Sequence, residues 1–227
     1  NYKFYMEKAL AYQSMMNFEK ATENYLLQLE TEPDDYEIIK SRLSFMIRYD
    51  MDGSVTDVMR IALLKKSQER PEDVLIAELL VWFALQMKDY EMALNQEIAI
   101  DRRMNDREYD IIYLARIARD NEQYDVAITA YDYLIKKSNE GAYYPESVVG
   151  LTEVQYVKSE IDGNSDYDFY SEFEKRIENE CLELGINDKT VPILIIRAEI
   201  LAFKLDDNEK AITLLNDALT LNLSKLN

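Results

Sequence analysis

One period constrains this chain more than any other feature. Residues 88–100 laid over 122–134 pair Tyr90 with Tyr124, Glu91 with Asp125, Ala93 with Ala127, Leu94 with Ile128 and Ile100 with Leu134, so Ala93 and Ala127 stand 34 residues apart. The residues upstream keep the same step: Leu80 meets Leu114, Phe83 meets Ile117 and Ala84 meets Ala118, at the i, i+3, i+4 spacing of an apolar helix face. Two amphipathic helices that share one period form a unit that buries its apolar face by stacking on copies of itself. The motif returns near both ends, as Phe18-Glu19-Lys20-Ala21 followed by Tyr25, and as Asn208-Glu209-Lys210-Ala211 followed by Leu215 and Ala218. At each site a small Ala lets the second helix approach the first, and a bulky residue four positions on fills the groove on the same face.

Two looser units fill the gaps. Ala21 and Ala93 are 72 residues apart, room for two periods. The segment 36–71 reads as a helix to about Tyr49, a turn at Asp52-Gly53, and a second helix packing through Val58, Ala62 and Leu63. Ala127 and Ala211 are 84 residues apart, which holds a helix from about Pro145 to Lys158, a polar loop at Gly163, and a helix from Tyr167 to Leu184. Pro145 and Pro192 fall where helices begin, and Pro33 and Pro71 follow helix ends, the places proline is tolerated. With 5 Gly and 4 Pro the chain is too poor in turn residues for a sandwich or barrel. The expected architecture is all-α: about six antiparallel helix pairs, with units near 1–34, 36–71, 74–106, 108–141, 143–186 and 190–227, in a single domain over 1–227.

These residues resemble the tetratricopeptide repeat family. The first repeat supplies Tyr5, Ala9, Tyr12, Phe18, Ala21, Tyr25 and Pro33, but has Gln28 where the family prefers Ala. The second supplies Leu80, Tyr90 and Ala93 with Glu97 at a bulky position, and the third supplies Leu114, Ala115, Tyr124, Ala127 and Tyr131. The resemblance implies a right-handed α-solenoid that binds a peptide or partner helix along the first helices of its pairs. By the same resemblance the groove positions are Leu75, Glu78, Trp82, Leu85 and Gln86 in one repeat and Tyr109, Ile112, Arg116, Arg119 and Asp120 in the next, with Tyr113 alongside. Of these, Trp82, Gln86, Tyr109, Tyr113, Arg116 and Arg119 are the candidate partner-binding residues, since Trp, Tyr and Arg dominate interaction hot spots. The plainer alternative is that Trp82 packs between helices and both arginines pair with nearby carboxylates. Trp82 and Arg116 stand where the chaperone-binding members need Asn, which disfavours that partner.

The remaining composition mostly excludes. Asp and Glu outnumber Lys and Arg by 44 to 26, a net charge of −18 that repels nucleic acid and anionic lipid. There is no histidine, and the one cysteine, Cys181, fits buried packing rather than a disulfide or a zinc site. The carboxylate pairs Asp34-Asp35, Asp206-Asp207 and Glu178/Glu180 read as solvated turns or helix faces, and Asp50-Met51-Asp52-Gly53 lacks the rest of a calcium loop. No cofactor, metal or catalytic residue is expected, nor a transmembrane helix, and the compartment is left open because a sequence starting at Asn1 reads as an excerpt of a longer protein, with any upstream signal removed or omitted. The expected role is therefore a protein–protein scaffold. Two alternatives stay open: self-association through a terminal helix, over 210–223, with no polar helix to cap it, or a regulatory segment of an enzyme whose catalytic part lies elsewhere.

Overall fold

The computed structural model describes residues 3–223, with side chains described as far as Leu219. Among these residues there are twelve α-helices and no strand. They are α1 (Tyr5–Ser14), α2 (Phe18–Thr31), α3 (Tyr36–Arg48), α4 (Ser54–Glu69), α5 (Val74–Gln86), α6 (Tyr90–Met104), α7 (Glu108–Asp120), α8 (Tyr124–Lys137), α9 (Tyr144–Ile161), α10 (Tyr167–Leu184), α11 (Val191–Glu199) and α12 (Asn208–Leu223). The chain is an all-α helical-repeat protein. Its helices divide into two compact units, Asn1–Arg107 and Glu108–Asn227, so α1–α6 and α7–α12 are described separately.

The repeat is written into the turns as well as the helices. Met16, Lys88, Glu122 and Asp206 each have φ between 55° and 61°, and each stands two residues before a second helix of a pair. A residue in the left-handed region turns the chain back on itself and brings the next N–H onto a carbonyl of the last helical turn. Asn17 N–H donates to the Tyr12 carbonyl at 2.9 Å, Asp89 N–H to Ala84 at 2.8 Å, and Gln123 N–H to Ala118 at 2.8 Å. The residue that makes this bond then becomes the N-cap: Asn17, Asp89 and Asp207 accept from the N–H of Lys20, Met92 and Lys210 at 3.1 to 3.2 Å. In the last pair, α11 runs into a π-helical stretch, Ile200–Lys204, and the closing bond lengthens by one residue, from Asp207 N–H to the Leu201 carbonyl.

The alanines behave as their spacing predicts. Ala21, Ala93 and Ala127 are fully buried and Ala211 nearly so. Tyr25 and Tyr131 fill the grooves four residues on and are buried, whereas Leu215, their counterpart, is 40% exposed because no later helix among the described residues covers α12. Gln28, the departure in the first repeat, is buried and donates from Nε2 to Asp35 at 2.8 Å, at the 3₁₀ turn Pro33–Asp35.

In the first unit the core joins Tyr25, Leu29, Ile39, Leu43, Met59, Leu63, Leu80 and Phe83. The α4 stripe differs from expectation: Val55, Met59 and Leu63 are buried while Val58 and Ala62 are only partly so. The helix starts at Ser54, immediately after Gly53 at φ 80°, and that start sets which face turns inward. In the second unit Tyr170, Phe173, Ile177 and Cys181 of α10 pack with Ile193, Leu194 and Ile200, so the single thiol is core packing. Helix α9 packs mainly on α8 and α11, and meets its own partner α10 only slightly. The turn between α9 and α10 closes in the usual way, Asn164 N–H donating to the Ser159 carbonyl with Gly163 at φ 65°, but two further residues, Ser165 and Asp166, precede α10.

Candidate functional site

The sequence-derived candidates lie on α5 in the first unit and α7 in the second. On α5, Trp82 is half-buried against the core of its unit and Gln86 is exposed. One turn before Trp82, Glu78 is taken up by an ion pair with Arg107, whose backbone N–H donates to Asp101 at 2.8 Å. Burial, together with the carboxylates of Glu78 and Glu37, pushes the neighbouring Tyr36 phenol well above its ordinary value. Trp82 is thus partly a packing residue, and Gln86 offers the free end of the helix.

On α7 the candidates form a continuous ridge. Tyr109 and Tyr113 are one helical turn apart, with rings stacked at 6.5 Å and inclined by 9°. They are 58% and 48% exposed, and Tyr143 closes on Tyr109 at 6.4 Å. Two large rings held parallel and left half in solvent form an aromatic patch with a polar edge, the kind of surface enriched at interfaces. Ile112, counted among the groove positions, is instead completely buried.

The two arginines point along the same helix but are occupied. Arg116 makes a two-pronged bond to Glu146 of α9, Nε to Oε1 at 2.6 Å and Nη2 to Oε2 at 2.7 Å. Arg119 reaches Asp120 at 3.1 Å and Glu153 of α9 at 3.4 Å. The hydrogen bond to Glu146 holds the Arg116 guanidinium still further above its ordinary value. Burial pushes the Glu153 carboxyl up, with Arg119 opposing. The arginines therefore clamp α9 to α7, and the tyrosines are what the ridge leaves uncovered. Among the described residues no cluster of three or more Cys, Asp or Glu is placed to hold a metal ion, and no helix is long and apolar enough to cross a membrane.

Among the cavities that lie outside these candidates, two are beside the irregular units. One of about 710 Å³ in the first unit borders the Asp50–Gly53 turn, with Leu10, Met16, Phe45, Tyr49 and Met51 in its wall. Another of about 520 Å³ in the second unit lies beside the Gly163 loop, among α8, α9 and α10. The first is lined by Asp50, Met51 and Asp52 of the segment weighed above against a calcium loop, and the second by no motif. The signal present in the sequence was indirect: the 84-residue gap between Ala127 and Ala211, too long for two tight repeats, falls where the second cavity opens.

No protein-family model and no curated protein matches the chain. Among solved structures it is similar to a tetratricopeptide repeat protein from Parabacteroides merdae, at 14% identity over 95% of this chain and 78% of that one, with a TM-score of 0.35. The helical-repeat assignment rests on the helices, turns and buried alanines of this chain itself.

Proposed function

We propose that the chain is a protein-interaction scaffold whose two units belong to one array of repeats, and that the α7 ridge is its principal contact for a peptide or partner helix. The observation that carries this reading is the stacked, half-exposed pair Tyr109 and Tyr113. Rigid aromatic rings contribute large contact area at small entropic cost, which is why they dominate binding hot spots. Trp82 and Gln86 occupy the same repeat positions as Arg116 and Asp120, so α5 presents a second version of the face on its own unit.

The test is a pull-down and affinity measurement with Tyr109→Ser/Tyr113→Ser and, separately, Trp82→Ala, with helicity followed by circular dichroism. The tyrosine pair should lose partner binding by at least about tenfold while helicity is kept, because its rings carry little of the core. Reversing Arg116 or Arg119 is a poorer probe, since it would set like charges against Glu146 or Glu153. Unchanged affinity in the tyrosine variant removes the ridge from the interface.

A second reading has its own observation. Ile212, Leu215 and Leu219 form an exposed apolar stripe on α12, 61%, 40% and 61% accessible, of the kind that a second copy covers in self-associating repeats. The side chains from residue 220 onward lie outside the described residues. A molar mass that stays monomeric at high concentration in light scattering would eliminate this reading.

A further inference from the structure

The turn edge of the first unit carries an open apolar groove of about 710 Å³, between the last turns of α1 and α3 and the first residues of α4. Its floor is Met46 and Val55, both buried, and its wall is Met16, Phe45, Tyr49 and Met51, each more than half exposed. The Phe45 and Tyr49 rings lie 4.8 Å apart. Large apolar side chains gathered in one place and left open to solvent are a mark of an interaction surface. Three of these six are methionines, which adapt to the shape laid on them and are over-used at binding surfaces.

The charges in the groove have one sign. Asp50 and Asp52 lie in its wall, and among the described residues no lysine or arginine does; Arg42 and Arg48 of α3 stand outside it. Asp50 accepts from the Thr56 N–H at 2.8 Å, the Thr56 hydroxyl at 2.5 Å and the Val55 N–H at 3.3 Å, and Asp52 accepts from the Ser54 N–H at 3.1 Å. These neutral donors at the start of α4 fix both carboxylates in place without supplying a countercharge, and neither carboxylate is in an ion pair among the described residues. The groove suits a helix better than an extended peptide. Gln13 Oε1 already accepts from the Tyr25 hydroxyl at 2.5 Å, and the Ser14 hydroxyl donates to the Ala11 carbonyl at 2.7 Å, so little is left to pair with the backbone of a strand. A helix satisfies its own backbone and needs from the wall only an apolar surface.

We propose that this groove takes the apolar face of an amphipathic helix from a basic partner protein. Apolar anchors of that helix rest on Met16, Phe45, Tyr49 and Met51, and a lysine or arginine beside them meets Asp50 and Asp52. The net charge of −18 draws a basic partner from a distance, and the two carboxylates fix where it settles. A second copy would bring the same excess of negative charge, which disfavours it as the occupant of this groove. The groove belongs to the first unit and the tyrosine ridge to the second, so each surface can be tested without the other.

The experiment selects displayed helical peptides on the whole chain, from a library with apolar residues varied at i, i+3, i+4 and i+7 and Lys, Gln or Glu varied at the flanking positions. The affinity of the selected peptides is then measured by fluorescence anisotropy. Lysine should be enriched over glutamate beside the anchors. Phe45→Ser/Tyr49→Ser should weaken binding by at least about tenfold and Asp52→Asn by about two- to fivefold, with helicity kept, while Tyr109→Ser/Tyr113→Ser changes nothing. Should the double groove variant fail to fold, Met51→Ser removes part of the wall at a fully exposed position and carries the same expectation of lost affinity. A general attraction to the acidic surface would leave the groove variants binding as the parent does, so undiminished affinity in a folded variant overturns the proposal. So does a selection that yields no helical binder, or one that enriches glutamate. Loss in the Tyr109→Ser/Tyr113→Ser variant alone moves the peptides to the ridge, keeping that reading and removing this one. A dimer of the chain that Phe45→Ser/Tyr49→Ser abolishes gives the groove to a second copy and overturns it as well.

Discussion

Glu122 sits at φ 61° in the turn between α7 and α8, a backbone conformation that costs an L-residue about 1–2 kcal/mol and glycine nothing. Glycine regains part of that cost as entropy in the unfolded chain, so Glu122→Gly should stabilise by roughly 0.5–1 kcal/mol, seen as a higher midpoint in urea at unchanged slope. Gly150 makes the opposite case. In an ordinary helix Gly→Ala stabilises by about 1 kcal/mol, but a Cβ built on Gly150 of α9 falls 2.4 Å from Cζ of the buried Tyr131 ring. The ring is fully packed and has nowhere to go, so Gly150→Ala should destabilise by about 1–3 kcal/mol in the same measurement. A neutral or stabilising result would mean that α8 and α9 are free to move apart.

At the scale of elements, α7 and α9 are joined by Arg116–Glu146 and Arg119–Glu153, with Tyr131 of α8 buried in the same unit. Burial raises the Glu153 carboxyl above 4.5 in spite of Arg119. With the folded value above the unfolded one, the folded chain keeps a proton that the unfolded chain gives up, so stability falls as pH rises from about 4.5 through the folded value and stays lower above it. Glu153→Gln should remove that loss: parent and variant converge in acid, and the variant is the more stable at neutral pH in parallel thermal melts. Glu160, held down by Lys204, contributes in the opposite sense, so the difference between the two curves, not the parent curve, carries the result. How far such elements were legible depends on what packing requires. The alanines at 21, 93, 127 and 211 announced their burial because a close helix approach tolerates little else. The left-handed turn residues Met16, Lys88, Glu122 and Asp206 gave no sign, since none is glycine and tertiary closure overrides local preference. That Arg116 and Arg119 pair with carboxylates was legible as the plainer alternative, but not which carboxylates, because Glu146 and Glu153 arrive from a helix 30 and 34 residues away.

At the scale of the whole molecule, 44 acidic against 26 basic side chains leave a net charge of −18 on 227 residues. Folding concentrates this charge, and the self-repulsion works against the compact state at all distances within a screening length of about 10 Å at 0.1 M salt. The fold answers locally by setting its cations against carboxylates of other helices, as in Lys66 with Glu30, Arg60 with Asp89, Lys137 with Glu108 and Arg197 with Glu174. The side chains of these pairs are largely shielded, between 12% and 33% accessible, so salt screens them little, while the net repulsion, summed over the excess of acidic groups, weakens. The excess is the larger quantity here, so sodium chloride should stabilise: raising it from about 0.01 M to 0.5 M should add roughly 1 kcal/mol, or about 2–4 °C in melting temperature for a chain this long. Chloride is the right anion for the measurement, because sulfate strengthens apolar burial on its own account. A melting temperature that falls with chloride would show that the ties between helices outweigh the global repulsion, and that the acidity is spent on structure rather than on keeping the molecule apart from its neighbours.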